Sequence, residues 1–405
     1  MIASLKSALA TIALSTCLAA QAAAPAATPL SLPANATASG AAPVPPPPTL
    51  SAKNYVLVDF QTGRVLAEQG GDERVPPASI TKVMTSYVVA AERKTGKIKD
   101  DDAVVISENA WRSGGAVTDG STSFLELNSQ VPLKELLMGM IIQSGNDASI
   151  AIAEHVAGSE STFAALMNQY AVQLGLKNSH FVNAHGLFDP EHYMSAHDIA
   201  TLSRALIRDF PEEYAHYARK EYTWNNHTQR NRNILLWRDP SVDGIKTGHL
   251  SQAGYCLAAS AKRGDTRLIA VVMNTAGEKV RADEAHALLN YGFRFFETHK
   301  VYEAMAPVSE VTLWHGAAEK ASLGVAQPVL VTVPRGSYAR LAASMQVRKP
   351  LSAPLTRGQT VGSLKLALDG QTVYEAPLVA LADYAEGGFF KRMSDSVWLW
   401  FDDGE

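Results

Sequence analysis

The sequence predicts an α+β protein in three consecutive parts: an antiparallel sheet flanked by helices, a small all-β domain and a C-terminal amphipathic helix. Three observations carry this expectation. Strand-like runs stand at both ends of the first 300 residues with helical periodicity between them, so the first and last segments complete one antiparallel sheet. Beyond residue 300 the chain turns to short alternating runs broken by Gly, Pro and Asp. The last stretch, GGFFKRMSDSVWLWF (387–401), sorts its aromatic residues to one side when wound as a helix.

Composition bounds the rest. With 405 residues, 46% hydrophobic and 19% charged, the chain has material for two or three domains. A formal charge of −4 with scattered basic residues lacks the footprint of a nucleic-acid binder, so any anionic ligand must be held by a few placed cations.

In chain order, residues 1–23 carry one lysine, a short apolar run and then small residues, the pattern of a secretory signal cleaved after Ala22 or Ala23. The apolar run is too short to span a bilayer. Leu14-Ser15-Thr16-Cys17 faintly resembles a lipoprotein site, but Thr16 fits that pattern poorly. Removal of the signal leaves Cys256 as the single cysteine and excludes an internal disulfide. Residues 24–50 are almost wholly Ala, Pro, Ser and Thr and read as a disordered tether. A domain over 51–299 opens with NYVLVDFQTGRVLAEQ, a hairpin about Gln61-Thr62-Gly63. From Ser79 apolar residues recur every three or four positions, the mark of a helix burying one face. Further helical patterns cover 131–143, 147–158, 161–175 and 195–210. Two apolar runs joined by Lys262-Arg263-Gly264-Asp265 form a second hairpin, and a last helix runs to about residue 299. The β domain occupies 300–385, and 386–405 is the terminal helix. In that helix Phe389, Met393, Val397 and Trp400 share one side with Phe390 and Phe401, while Lys391, Arg392 and Asp395 face away; two glycines detach it from the β domain. Aromatic load, hinge and secretion signal together point to a helix lying on a membrane surface through 387–401.

The chemistry starts at PPASITKVMT (76–85). Pro76 and Pro77 keep the preceding chain from being helical, and Ser79 falls at the helix start, where unpaired N–H groups favour developing negative charge. Lys82 lies on the same face one turn on. A lysine buried in an apolar helix tends to lose its proton, and a neutral amine can take one from a nearby serine. In isolation S-x-x-K is an ordinary N-cap serine and surface lysine. Likewise Ser144-Gly145-Asn146 in QSGNDA alone reads as a turn between helices, and Lys246-Thr247-Gly248 as a strand edge kept soluble by its lysine.

In the order S-x-x-K, S-x-N, K-T-G, on a helix, a helix junction and a strand, the three motifs resemble those of the penicillin-recognising acyl-serine transferases. The phrasing of PPASITKVMT, IIQSGNDAS, NAHGLFDPEHYMSAHDIA, VDGIKTGH and GFRFFET is similar to the low-molecular-mass D-alanyl-D-alanine carboxypeptidases, strongly over 51–300 and more loosely beyond. The resemblance implies a β-lactamase/transpeptidase-like domain. It implies that Ser79 attacks the carbonyl of the penultimate D-alanine of a peptidoglycan stem peptide, Lys82 accepts its proton and Ser144 passes a proton toward the leaving amine. Asn146 would hold the substrate amide; the N–H groups of Ser79 and His249 would form the oxyanion hole. Lys246, Thr247 and Gly248 would present an edge to the substrate backbone, with Arg232 at its terminal carboxylate and Arg281 near the site. β-Lactam antibiotics would be covalent inhibitors, no cofactor is implied, and the enzyme would act in the periplasm, held peripherally on the outer face of the inner membrane.

The stretch 178–200 offers no glutamate in an E-x-x-x-N setting and gives Asp198 after His197 instead, a residue suited to capping or pairing. Without such a base, release of a penicilloyl group would be slow. His185, His192 and His197 cluster, but without H-x-x-x-H helical spacing or a cysteine pair they make no metal site; His185-Gly186 reads as a turn near the cleft. Two alternatives accompany the carboxypeptidase: a D,D-endopeptidase on cross-links, and a weakly active scaffold that binds peptidoglycan peptides.

Overall fold

The computed structural model describes residues 27–32, 43–115 and 120–402. The expected signal, with Cys17, lies outside them. The chain divides into two compact units, 34–301 with 329–340, and 1–33 with 302–328 and 341–405.

The first unit is organised about a five-stranded antiparallel sheet. Its strands are β1 (Asn54–Asp59), β2 (Val65–Gln69), β3 (Val242–Leu250), β4 (Gly254–Arg263) and β5 (Thr266–Thr275), in the order β2-β1-β5-β4-β3. The earliest and latest strands pair at the centre, β1 with β5. Alternation explains the unbroken apolar runs: Val56, Val58, Ile269 and Val271 enter one core cluster, whereas Tyr55, Leu57, Leu268 and Ala270 enter another on the opposite face. Helices cover both faces. On the first lie α1 (Thr81–Lys94), α2 (Asn146–Ala157), α3 (Glu160–Leu174) and α4 (Ala196–Asp209); on the second lies α5 (Glu278–Phe295).

Three boundaries differ from expectation. Ser79 sits in a 3-10 turn, Ala78–Ile80, that leads into α1. The helix expected over 131–143 is α-helical only at Leu133–Met138 and continues as a π-helical turn, Gly139–Gln143. The helix expected to reach 299 ends at Phe295, because Phe296–Tyr302 is a strand paired with Val329–Pro334. That partner, expected in the β domain, belongs to the first unit. Arg335 explains the arrangement: its guanidinium donates to the carbonyls of Phe293 and Phe296 at 2.9 and 3.1 Å, pairing acceptors that a helix end leaves open.

The second unit is a six-stranded sheet in the order Thr28–Leu30, Leu341–Val347, Thr360–Leu368, Gln371–Ala380, Lys320–Val325, Ser309–Thr312. Its first strand corrects the reading of 24–50 as a tether. Thr28 and Leu30 pair with Met345 and Ala343, since a sheet edge recruits extended backbone whatever its side chains. In the first unit, Val44 and Leu50 of the same segment pack on the second core cluster, and Tyr291 donates to the Pro45 carbonyl at 3.0 Å.

The terminal helix, α6 (Phe389–Asp402), docks by its polar side. Asp395 is 3% exposed and accepts from the His315 N–H at 2.7 Å and from Lys391 Nζ at 2.6 Å. The face that sequence alone turns toward solvent is thus partly the docked one. Phe390 and Trp400 stand outward, 80% and 77% exposed. Among the described residues no helix is long and apolar enough to cross a membrane.

Candidate active site

Two glycines fix where Ser79 stands. A Cβ at Gly186, whose φ is +88°, would lie 1.9 Å from the Ala78 carbonyl oxygen, and one at Gly248 would lie 2.9 Å from that of Pro77. The loop 183–187 and strand β3 therefore close on the Ala78–Ile80 turn as nearly as backbone allows. Between them Ser79 stays partly exposed while Lys82, one turn deeper, is 1% exposed.

Lys82 Nζ lies 3.1 Å from Ser79 Oγ, 2.8 Å from Asn146 Oδ1 and 2.6 Å from the His185 carbonyl oxygen. Burial, then the Arg232 charge, lower its pKa to about 7, against opposing pulls from Asp147 and Glu160. A neutral amine in this setting donates to Asn146 and His185 and keeps its lone pair for the Ser79 hydroxyl, which suits proton abstraction.

The second motif is shaped by backbone. The π-turn ends at Ser144 in the left-handed region (φ 66°), and α2 begins at Asn146. That conformation is costly for a residue with a Cβ, and such outliers gather at functional sites. Ser144 Oγ is buried without a hydrogen-bond partner among the described residues and lines the cleft. Asp147 ties down the facing loop: its carboxylate accepts from the N–H groups of Ser123 and Leu125 and from Thr122 Oγ1. Burial pushes that carboxyl up, and these bonds pull it back.

The third motif lies on β3, the edge strand beside the turn. Lys246 and Thr247 are buried. Burial first, then the charges of Lys82, Arg232 and Arg281, push the Lys246 amine well below its ordinary value. Arg281 donates to the Gly248 carbonyl at 3.0 Å, and the His249 ring stacks on Tyr255 at 4.0 Å. Arg232 is exposed at the rim. The resulting cleft, about 530 Å³, is lined by Ser79, Ser144, Asn146, Arg232, Thr247 and His249, among others. All ten residues singled out from the sequence converge here, eight on the walls and Lys82 and Lys246 buried behind them.

Sequence reasoning missed the support. His185 lines the cleft and bonds Glu160, the first residue of α3, at 3.1 Å. Glu160 after Ser159 reads as routine helix capping, so only the fold reveals it. The other histidines go elsewhere: His192 bonds Thr81 Oγ1 at 2.8 Å and His197 bonds Glu68 at 2.5 Å. Asp198 accepts from Asn178 N and Ser179 Oγ, both at 2.7 Å, which ties the loop after α3 to the first turn of α4.

Against known proteins, residues 41–277 match the D-alanyl-D-alanine carboxypeptidase family and residues 296–386 match the family of the penicillin-binding protein 5 C-terminal domain. The chain is 46% identical to the D-alanyl-D-alanine carboxypeptidase DacA of Escherichia coli over 88% of its own length and 90% of the relative's. It is 44% identical to DacC of the same organism, over 87% and 89%. The crystal structure of penicillin-binding protein 5 from Haemophilus influenzae superposes with a TM-score of 0.81 at 44% identity, covering 84% of this chain and 99% of that one. With its fold, its cleft and its two matched segments, the chain belongs to the D-alanyl-D-alanine carboxypeptidase family.

Proposed function

We propose that in this carboxypeptidase Ser79 is the nucleophile and Lys82 its base, acting on peptidoglycan stem peptides that end in D-Ala-D-Ala. Ser79 Oγ bonds to the carbonyl carbon of the penultimate D-alanine as its proton passes to Lys82 Nζ. The carbonyl oxygen, now negative, is met by the N–H groups of Ser79 and His249. The C–N bond breaks as Ser144 relays a proton to the departing D-alanine amine, leaving an ester that water hydrolyses. Asn146 holds the substrate amide, Lys246, Thr247 and Gly248 of the β3 edge pair with its backbone, and Arg232 takes its carboxylate, with Arg281 holding the edge in place. The observation that carries this reading is Lys82 itself: a buried amine, its pKa drawn to about 7, whose third contact is Ser79 Oγ.

The same chemistry opens a β-lactam ring and leaves a penicilloyl ester. Release is slow, because the segment 178–200 supplies no dedicated base. The test is incubation with a D-Ala-D-Ala peptide, weighing product and ester intermediate. Free D-alanine and a Ser79 ester support the reading, while cleavage of cross-linked dimers alone would replace it with an endopeptidase. Ser79→Ala should abolish labelling by fluorescent penicillin; a scaffold would show no label in either form.

For location, we propose a periplasmic enzyme, its signal removed, held on the outer face of the inner membrane by α6. Exposed Phe390 and Trp400, on the side away from a docked Asp395, with Trp398 exposed on the flank, support an interfacial helix. Deleting 387–405 should move the protein to the soluble fraction with penicillin labelling intact; retention on membranes refutes the anchor.

A further inference from the structure

Of the three groups within hydrogen-bond distance of Lys82 Nζ, one is no side chain. The His185 carbonyl, at 2.6 Å, sits in a loop with no repeating structure of its own, so something must hold it there. The loop is pinned at each residue. Asn183 Oδ1 accepts from Gly186 N at 2.6 Å, and Thr85 Oγ1 donates to the Ala184 carbonyl at 2.7 Å. Glu160 makes the link to a rigid element: from the first turn of α3 it accepts from Ala184 N and meets His185 Nε2, both at 3.1 Å. His185 Nδ1 in turn accepts from Leu187 N at 3.1 Å, which puts the ring proton on Nε2, facing Glu160. Both ring nitrogens are thereby engaged within the protein, and the imidazole, though it lines the cleft, is not available as a base toward substrate.

We propose that Glu160 is a positioning residue for Lys82: through the His185 ring and Ala184 N–H it fixes the His185 carbonyl against Lys82 Nζ, and it places a fixed negative charge behind that amine. The carboxylate is suited to stay ionised there. Burial acts to raise its pKa, but the His185 and Ala184 hydrogen bonds and the Lys82 charge outweigh it and hold it below the ordinary value. The start of α3 adds a favourable dipole. Lys82 is faced by Arg232 from the rim, Lys246 from β3, Asp147 from α2, Glu160 from α3, and His185 and His192 from the neighbouring loop. Burial and Arg232 press its proton off, whereas Asp147 and Glu160 retain it. Removing the charge of Glu160 makes the amine neutral at lower pH.

This inference rests on Ser79 and Lys82 carrying acylation. Its test is the rate of acylation by fluorescent penicillin from about pH 5 to 9 in the full chain and in Glu160→Gln and Glu160→Ala. The glutamine keeps an acceptor for His185 and Ala184 and loses only charge. Its acid limb should move to lower pH, a rise of about two- to threefold in relative rate on that limb for a shift of roughly 0.3 to 0.5 unit, with the plateau within about threefold of wild type. Alanine loses the link as well, and its plateau should fall more than about tenfold. An acid limb for Glu160→Gln that stays in place or moves to higher pH overturns the proposal, as does a full plateau for Glu160→Ala. Should the alanine variant not fold, the glutamine profile decides alone. Label persisting on Ser79→Ala would instead sink the reading of the site, so the two failures are distinguishable.

Discussion

Helices α1 and α6 both break the rule that apolar residues go in and polar ones out, and they break it in opposite senses. In α1 the buried set includes Thr81, Lys82, Thr85, Ser86 and Glu92. In α6 the exposed set includes Phe389, Phe390, Trp398 and Trp400, and the buried residue is an aspartate. Neither inversion helps folding by itself, since burying charge costs free energy unless partners compensate, and exposed aromatics contribute no hydrophobic stabilisation. Each inversion is satisfied locally. Lys82 meets Ser79 Oγ, Asn146 Oδ1 and the His185 carbonyl, while Asp395 meets Lys391 and the His315 N–H. A buried amine with paired neighbours is what the proposed proton transfer needs; an exposed aromatic ridge on a docked helix is what the proposed membrane contact needs.

The largest effect is expected in α1. Lys82→Ala should lower penicillin acylation by about 10²–10⁴-fold, the usual worth of a positioned general base. In the wild type, the neutral fraction of a lysine whose pKa lies about 7 grows as pH rises through that value, so acylation should climb and level off above it. A rate independent of pH between about 6 and 8 would mean that the buried lysine is structural only.

A smaller effect tests the backbone around the site. In Gly186→Ala the new methyl would meet the Ala78 carbonyl at 1.9 Å, at a positive φ as well. Gly158→Ala is the matched control, since its φ is +78° and nothing lies within 4 Å of its Cβ. The control should cost about 1–2 kcal/mol from backbone strain alone. Gly186→Ala should cost about 1–3 kcal/mol beyond that and slow acylation, because overpacking there displaces the turn carrying Ser79. Urea midpoints for the pair check the difference, and equal values would show that the loop yields freely.

Legibility in the sequence followed the same division. Ser79, Lys82, Ser144, Asn146 and the Lys246 edge were singled out by the resemblance that their three motifs carry in order, since each spacing alone reads as an ordinary cap, turn or strand edge. Glu160 and Asp147 were not, for their partners lie across the fold: Glu160 reaches Ala184, and Asp147 reaches Ser123. The His185 carbonyl that meets Lys82 could not be read at all, since every residue carries the same group. Alternation identified the strands of the sheets but not the unit each joins. Val329–Pro334 reads like its neighbours and yet pairs with Phe296–Tyr302, and Thr28–Leu30 joins an edge through backbone bonds that composition does not encode. Helical projection found both sides of α6, but which one docks depends on His315, eighty residues upstream of Asp395.

The smallest expected effect concerns that docking. Burial pushes the Asp395 carboxyl up, and the hydrogen bonds and charges of Lys391 and His315 outweigh it, so its pKa lies below the ordinary value. A depressed carboxyl stabilises the docked helix fully above its unfolded value and loses that contribution as pH falls through the folded one, below about 4. Asp395→Asn keeps an acceptor for the His315 N–H and loses the charge that Lys391 meets, so it should loosen α6 slightly at neutral pH and remove the acid dependence. Hydrogen exchange of the α6 amides reads both changes, while penicillin acylation in the first unit and vesicle binding by the aromatic face should stay as they are. If vesicle binding fell together with amide protection, the aromatic face would need its docked partner, and α6 would have to be treated as one cooperative piece of the β unit.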